Sequence, residues 1–133
     1  MSRIVVDNSV AIRWFIGDQA TVYSTKVFDA CENAAIYVPA LWFSEFCNVI
    51  SKTAKQGAIT EAQATGIMQH ASLLPIIEAK TPPLGEIYKL ANQFGLSGYD
   101  ATYLAVTIAS DAMLATEDDQ LAKVAKTLGV YFS

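Results

Sequence analysis

Near its N-terminus the chain reads Ile4-Val5-Val6-Asp7-Asn8-Ser9-Val10-Ala11, a β-branched run that ends in an acid and leads into a helical pattern. The run predicts a strand over residues 3–7, and apolar residues at helical spacing predict a helix over residues 8–16. Because ligands of open parallel sheets bind at the carboxyl ends of the strands, Asp7 is the first candidate for a functional side chain.

The rest of the chain repeats this alternation of short apolar runs and helical segments. Further strands are predicted at residues 36–38, 75–79, 113–116 and, as a last strand, 130–132, and helices at residues 21–33, 40–54, 60–74, 84–94, 97–110 and 118–128. This alternation indicates an α/β fold with a central parallel sheet of about four to five short strands, covered by helices on both faces. With no linker or repeat in between, we expect one domain over residues 1–133.

The composition bounds the partners of the protein. Hydrophobic residues make up 53% of the chain and charged residues 17%, so we expect some apolar surface to face a partner. The net charge is −4, and the nine basic residues are scattered instead of forming the basic stripe of a non-specific nucleic-acid binder. If RNA is the substrate, a bound metal or a second subunit must supply positive charge.

The sequence also limits where the protein is located in the cell and which metal it can bind. No apolar run approaches the roughly 18 residues of a membrane span, and the N-terminus meets Asp7 too early for a signal peptide. We therefore expect a cytoplasmic protein with no membrane contact. Cys31 and Cys47 have no metal-ligand spacing and His70 is the only histidine, so a zinc site is not expected.

Three aspartates stand near predicted helix starts, and each has a structural explanation. Asp7 could be a helix N-cap. Asp100 lies three residues after Ser97, and Asp118 lies between Thr116 and Asp119, which have the spacing of a capping box. Both acids could therefore stabilise the N-terminus of a helix. None of the three indicates a function alone.

Glu45 is different because it lies in the middle of the predicted helix over residues 40–54. At about 100° per residue, Leu41, Trp42 and Val49 fall within roughly 60° of it, which places Glu45 in an apolar stripe. Burial of an unpaired carboxylate costs several kcal/mol, so Glu45 should be protonated, be paired or hold a cation.

The four acids could converge on one pocket at the edge of the sheet. Two carboxylates about 4 Å apart repel by ~4 kcal/mol at an effective dielectric of about 20, and a divalent cation removes that repulsion. Mg²⁺ and Mn²⁺ prefer such oxygen ligands. A lone histidine argues against RNA cleavage by a histidine pair, which leaves metal-assisted hydrolysis with a metal-activated water.

Four stretches together resemble the PIN-domain nucleases and, among them, the VapC-like toxins of bacterial toxin–antitoxin pairs. They are residues 4–15 with Asp7, 38–49 with Glu45, 96–105 with Asp100 and 114–121 with Asp118. The resemblance implies a three-layer α/β/α fold and a Mg²⁺-dependent endoribonuclease, with Mn²⁺ as a substitute. It implies that Asp7, Asp100 and Asp118 hold the metal, that Glu45 completes the cluster, and that the protein is a homodimer with a cognate antitoxin.

Neighbouring residues are candidates for supporting roles. Asn8, Ser9 and Thr116 match polar positions that orient carboxylates or waters in the family that the chain resembles. Asp119 is the alternative to Asp118 as the fourth acid, because Glu117, Asp118 and Asp119 are consecutive. Arg13, and Lys52 about two turns after Glu45, are candidates for contacts with RNA phosphates.

Two other functions fit parts of the pattern. A phosphoacceptor domain of the response-regulator kind also binds Mg²⁺ with acids at strand ends, but it leaves Glu45 without a role. A catalytically silent PIN-like module would bind a protein through its apolar surface, and its acids would only cap helices.

Overall fold

The computed structural model describes all 133 residues, Met1 to Ser133, and has a sheet of four strands. The strands are β1 (Ser2–Val6), β2 (Ala34–Val38), β3 (Ile76–Glu78) and β4 (Met113–Ala115), and they pair in parallel in the order β3-β2-β1-β4. The predicted central parallel sheet is confirmed. The predicted last strand over residues 130–132 is wrong, because only Tyr131 pairs, in a single bridge to Leu114.

Seven helices complete a three-layer α/β/α fold. They are α1 (Asn8–Ala11), α2 (Val22–Ala30), α3 (Leu41–Lys55), α4 (Glu61–Ala71), α5 (Leu84–Phe94), α6 (Gly98–Ala109) and α7 (Asp119–Thr127). Local signals set several of the boundaries: Thr60 and Gln63 form the predicted capping box of α4, and Gly95 ends α5 in the left-handed conformation. None of these helices combines the length and the apolar character needed to cross a membrane.

The predicted helix over residues 8–16 is shorter than expected. Helix α1 ends at Ala11, and a 3₁₀ turn, Ile12–Trp14, follows it. Both of the long side chains in this turn contact other segments: Arg13 Nε pairs with the Glu117 carboxylate at 2.8 Å, and Trp14 Nε1 donates to the Ser24 carbonyl. These contacts favour the tighter turn over a continued α-helix, since they fix both side chains against other segments.

The centre of the sheet is strand β1, which pairs with β2 on one side and with β4 on the other. Ile4, Val5 and Val6 are all buried, as expected for a parallel strand that is covered on both faces. Helix α6 is the most buried helix, with every residue from Ala101 to Thr107 inside. Its interior position makes α6 a rigid support for side chains near its N-terminus.

The strand order also bears on the phosphoacceptor alternative. Response-regulator domains use the doubly wound order 2-1-3-4-5, in which the third strand lies beside the first. In this chain the neighbours of β1 are β2 and β4, and β3 lies at the edge beyond β2. The fold therefore does not support a domain of the response-regulator kind.

We predict that the buried face of α6 carries much of the stability. Leu104→Ala should lower the free energy of unfolding by about 2–5 kcal/mol, because Leu104 is fully buried and its truncation leaves a cavity. Ile108→Ala, one turn later on the half-exposed side, should cost less than about 1 kcal/mol. Urea denaturation of both variants tests this prediction, and equal losses would contradict it.

Candidate active site

The acidic residues lie where the strand order changes direction. From β1 the chain crosses to β2 on one side, and it later returns to β4 on the other side. Asp7 directly follows β1, and Asp118 follows β4 by three residues. The backbone N–H of Asp7 donates to the Ala115 carbonyl at 3.2 Å, so the two strands are still paired at this edge. In open α/β sheets such a crevice is the usual ligand site.

The Asp7 carboxylate is buried and accepts hydrogen bonds on both oxygens. Oδ1 accepts from the backbone N–H of Ser9 at 3.0 Å and from the Ser9 hydroxyl at 2.5 Å, and Oδ2 accepts from the Thr116 hydroxyl at 2.5 Å. The exposed fraction of Asp7 is 6%, and Thr116 is fully buried. Its orientation is therefore fixed from both sides of the crevice, by β1–α1 and by the segment after β4.

The same two hydroxyls organise the segment that carries the last acids. The Ser9 hydroxyl accepts from the backbone N–H of Glu117 at 2.8 Å, and the Thr116 hydroxyl accepts from that of Asp118 at 3.1 Å. The predicted supporting residues Ser9 and Thr116 thus contact Asp7 and also hold the backbone of residues 117–118. These hydrogen bonds therefore connect the segment that follows β1 with the segment that follows β4.

Glu45 and Asp100 come from two other helices. Glu45 lies in the second turn of α3 and is half-buried, and its Oε1 accepts a hydrogen bond from the Tyr103 hydroxyl at 2.6 Å. Asp100 is in the first turn of α6, where its backbone N–H donates to the N-cap Ser97. The predicted apolar stripe around Glu45 is only partly present: Trp42 is buried, but Val49 is 37% exposed. Glu45 therefore faces the margin of the core instead of its interior.

Electrostatics link the four carboxylates. Burial raises the pKa of Asp7 from 3.8 to about 6 against the effect of its hydrogen bonds, and the charge of Asp100 adds to the rise. Burial also raises the pKa of Asp100, with further contributions from the charges of Asp118 and Glu45. Asp100 is thus the centre of the cluster, close enough to each of the other three acids to interact with its charge.

The donor set fits a hard divalent cation that keeps part of its water shell. All the clustered side chains offer carboxylate oxygens, which Mg²⁺ and Mn²⁺ prefer. No three or more His, Cys, Asp or Glu side chains stand close enough to hold an ion by themselves. Mg²⁺ is usually bound through one or two carboxylates with several waters retained, so a closed cage is not required.

The structure distinguishes Asp118 from Asp119. The charge of Asp118 contributes to the raised pKa of Asp100, and Asp119 makes no such contribution. Asp118 is also the N-cap of α7, because its Oδ1 accepts from the backbone N–H of Leu121 at 2.9 Å. Asp7 likewise caps α1 through the N–H of Ser9. The capping roles considered from the sequence therefore exist, and they coexist with the clustering of the charges.

The remaining predicted residues lie around this cluster with different contacts. The Asn8 amide donates to the Trp42 carbonyl at 3.1 Å, which ties α1 to the helix that carries Glu45. Arg13 forms an ion pair with Glu117 at 2.8 Å and donates to two backbone carbonyls. Lys52 is exposed on α3. Of the two predicted phosphate contacts, Arg13 is thus already engaged within the protein.

Sequence reasoning missed two residues that touch the site. Tyr103 binds Glu45 directly, and its position three residues after Asp100 on the same helix was an available signal. Glu117, the first of three consecutive acids, accepts from the Thr21 hydroxyl and pairs with Arg13. Nothing in the local sequence connects Glu117 with either partner, which lie about a hundred residues earlier.

The family model for the PIN domain matches residues 4–127, nearly the whole chain, and the match spans all four acids. This chain belongs to the PIN domain family. The fold described above is thus that of a PIN domain, and the predicted resemblance is confirmed.

Individual relatives of this PIN domain come from two organisms. The chain is 35% identical over 83 residues to exonuclease VapC9 of Pyrobaculum aerophilum, an alignment that covers 62% of this chain and 59% of that protein. The crystal structure of PAE2754 from the same organism superposes with a TM-score of 0.69 at 27% identity over 96% of this chain and 86% of that one. VapBC2 from Rickettsia felis, bound to a DNA fragment from their promoter, gives 0.61 at 17% identity over 84% of each chain and shares the fold.

We predict that the Asp7 carboxyl destabilises the metal-free protein at neutral pH. Its folded pKa of about 6 exceeds the ordinary 3.8, so its stabilising contribution is fully present below pH 3.8 and is lost as the pH rises through about 6. The difference is equivalent to roughly 3 kcal/mol. In EDTA, Asp7→Asn should remove this pH dependence and be as stable as the wild type or more stable at about pH 8.

Urea denaturation at about pH 5 and about pH 8 measures this effect. The control is Asp29→Asn, the same change at an exposed position on α2. An Asp7→Asn variant that is less stable than the wild type at both pH values would indicate that helix capping is the dominant role of Asp7.

Proposed function

We propose that this PIN domain is a metal-dependent endoribonuclease that hydrolyses RNA phosphodiester bonds at Asp7, Glu45, Asp100 and Asp118. The observation that carries the proposal is the position of Asp100, whose pKa is raised by burial and by the charges of Asp118 and Glu45 at the carboxyl edge of the sheet. A capping role does not require four carboxylates from four segments to interact. A role in cation binding does, because the cation offsets their repulsion.

Mg²⁺, with Mn²⁺ as a substitute, is the proposed cofactor, and these four carboxylates line the site that would hold it together with bound water. Bound at such a site, a divalent cation lowers the pKa of a water and offsets the negative charge of the phosphate. The protein holds the acids in place for this purpose: Ser9 and Thr116 fix both oxygens of Asp7. Thr116 also holds the backbone of Asp118, whose carboxylate starts α7.

Substrate binding has to overcome the acidic character of the chain. Lys52 is exposed two turns beyond Glu45, and we retain it as a proposed phosphate contact. Arg13 keeps a side-chain exposure of 33% although it is paired with Glu117. Its more direct role is to hold the segment of residues 117–118 beside Ser9, and any contact with RNA would use the exposed part of its guanidinium.

The proposal includes a role as the toxin of a toxin–antitoxin pair, with a homodimer and a cognate antitoxin as partners in the cytoplasm. The relative VapC9 is named as an exonuclease, and the chain spans about three fifths of its length. Several large apolar side chains are exposed in addition, as a protein with partner surfaces requires; they include Leu73, Leu84, Ile77 and Ile108. A catalytically silent protein-binding module remains the alternative, since Asp7 and Asp118 do cap helices.

We predict metal-dependent cutting of RNA by the purified, antitoxin-free protein. A pool of tRNA and other structured RNA should be cleaved with Mg²⁺ or Mn²⁺ and not with EDTA. Asp100→Asn should lower the rate by more than about 100-fold, since even residues behind metal ligands often cost 10- to 100-fold. Asp29→Asn, on the surface of α2, should leave it unchanged.

A circular RNA separates the proposed endonuclease from an exonuclease, because only an endonuclease can cut a molecule without ends. A DNA strand of the same sequence tests the preference for RNA. Folded wild-type protein that cuts no nucleic acid with either metal would favour the silent binding module. Cutting of linear RNA alone would overturn the endonucleolytic part of the proposal.

We further predict that Asp118, and not Asp119, is the fourth acid. Asp118→Asn should abolish most of the cleavage while it keeps α7 capped, because Asn is as good an N-cap as Asp. Asp119→Asn, one residue later, should retain activity within about 2-fold, because Asp119 is not among the charges that raise the pKa of Asp100. Cleavage rates and thermal unfolding of the two variants test the assignment, and the reverse ranking of rates would contradict it.

A further inference from the structure

One contact in the site joins two helices and is not explained by helix capping or by core packing. The hydroxyl of Tyr103 on α6 donates to Oε1 of Glu45 on α3 at 2.6 Å, across 58 residues of sequence. The ring of Tyr103 lies in the core, and the residue is only 2% exposed. A polar tip at the end of a buried ring is held where the ring packing places it.

The Tyr103–Glu45 hydrogen bond acts on a carboxylate that has another carboxylate near it. Glu45 is half-buried, and it lies close enough to Asp100 for its charge to raise the pKa of Asp100. The two carboxylates therefore repel each other, and a free glutamate side chain would rotate towards solvent. The Tyr103 hydroxyl opposes that rotation, and it occupies Oε1 only, so that Oε2 has no protein donor.

Helix α6 carries both Tyr103 and Asp100. Tyr103 and Asp100 are three residues apart on this helix, so they share one face. Burial raises the pKa of the Tyr103 hydroxyl well above its usual range, and the hydrogen bond to Glu45 adds to the rise.

We propose that Tyr103 is a positioning residue of the cation site, which holds Glu45 against the repulsion of Asp100 and leaves Oε2 available to a divalent cation. This inference rests on the proposed function, because it assigns a role within the same site. It concerns a residue that binds neither the cation nor the substrate directly. Its counterpart in known metal sites is the partner that orients a ligating side chain.

The experiment measures Mn²⁺ binding to the intact protein in the absence of RNA, by isothermal titration calorimetry. Tyr103→Phe removes one hydroxyl and keeps the ring, and it should weaken Mn²⁺ binding about 10-fold, the lower end of the range for partners of metal ligands. Tyr88→Phe makes the same change at an exposed position on α5 and should have no effect. Thermal unfolding in EDTA establishes that both variants are folded.

A double-mutant cycle distinguishes positioning from a general effect on the structure. In a Glu45→Gln background, Tyr103→Phe should change Mn²⁺ affinity by less than about 2-fold, because the carboxylate that it orients is absent. If Tyr103→Phe does not fold, Glu45→Asp serves instead, since Glu45 is half-buried and the shorter side chain moves the carboxylate away from the hydroxyl. It should also weaken Mn²⁺ binding about 10-fold.

The outcomes separate this proposal from the proposed function. If Asp100→Asn and Glu45→Gln weaken Mn²⁺ binding while Tyr103→Phe and Glu45→Asp bind it like the wild type, the positioning role is overturned and the cation site stands. A Tyr103→Phe effect of equal size in both backgrounds would also overturn the positioning role. If the wild type binds no Mn²⁺, or if Asp100→Asn binds it unchanged, the proposed function fails and the positioning role fails with it.

Discussion

The burial of one carboxylate, that of Asp7, is the constraint on which the rest of the site depends. Each oxygen of Asp7 accepts from a hydroxyl, and the two hydroxyls come from segments that follow different strands. Those hydroxyls in turn hold the backbone of residues 117–118. The hydrogen bonds do not fully offset the loss of solvation, because the pKa of Asp7 is still raised to about 6. The fold thus keeps the Asp7 carboxylate buried at the end of β1, although burial destabilises its ionised form.

The stabilisation of carboxylates by helix N-termini is smaller than the repulsion between two neighbouring carboxylates. Helices α1, α6 and α7 all begin at the site, and their N-termini favour nearby carboxylates by about 0.3–1 kcal/mol each. Two carboxylates about 4 Å apart repel by ~4 kcal/mol at an effective dielectric of about 20. Helix ends would therefore offset only part of a repulsion of that size. Under the proposed function, a divalent cation offsets the remainder.

One basic residue, Arg13, is engaged by an acid close to this cluster. Arg13, the basic residue nearest to Asp7 in sequence on its C-terminal side, is bound by Glu117 and by the Ser9 and Gln19 carbonyls. It stabilises the segment that carries the last acids instead of forming part of a basic surface. Under the proposed function, a cation held by the acids would therefore supply the positive charge for phosphate that the paired Arg13 does not.

The sequence by itself determined the elements that depend on local signals. The β-branched run before Asp7, the Thr60–Gln63 capping box and the glycine after α5 predicted strand and helix positions to within a few residues, because each acts over one or two turns. The acids at helix starts were visible for the same reason. The helix over residues 8–16 was predicted too long, because a local pattern does not reveal that Arg13 pairs with Glu117 and that Trp14 binds the Ser24 carbonyl.

Only the tertiary structure decided which of these acids interact electrostatically and what holds their side chains in place. The effect of the Asp118 charge on the pKa of Asp100 depends on how α6 and α7 are placed, and the Tyr103–Glu45 contact depends on how α3 and α6 pack. The Thr116–Asp7 hydrogen bond joins residues 109 positions apart. Periodicity and capping report the interactions of a residue with its neighbours in sequence, whereas electrostatic coupling depends on distances in space that only the packed sheet and helices define.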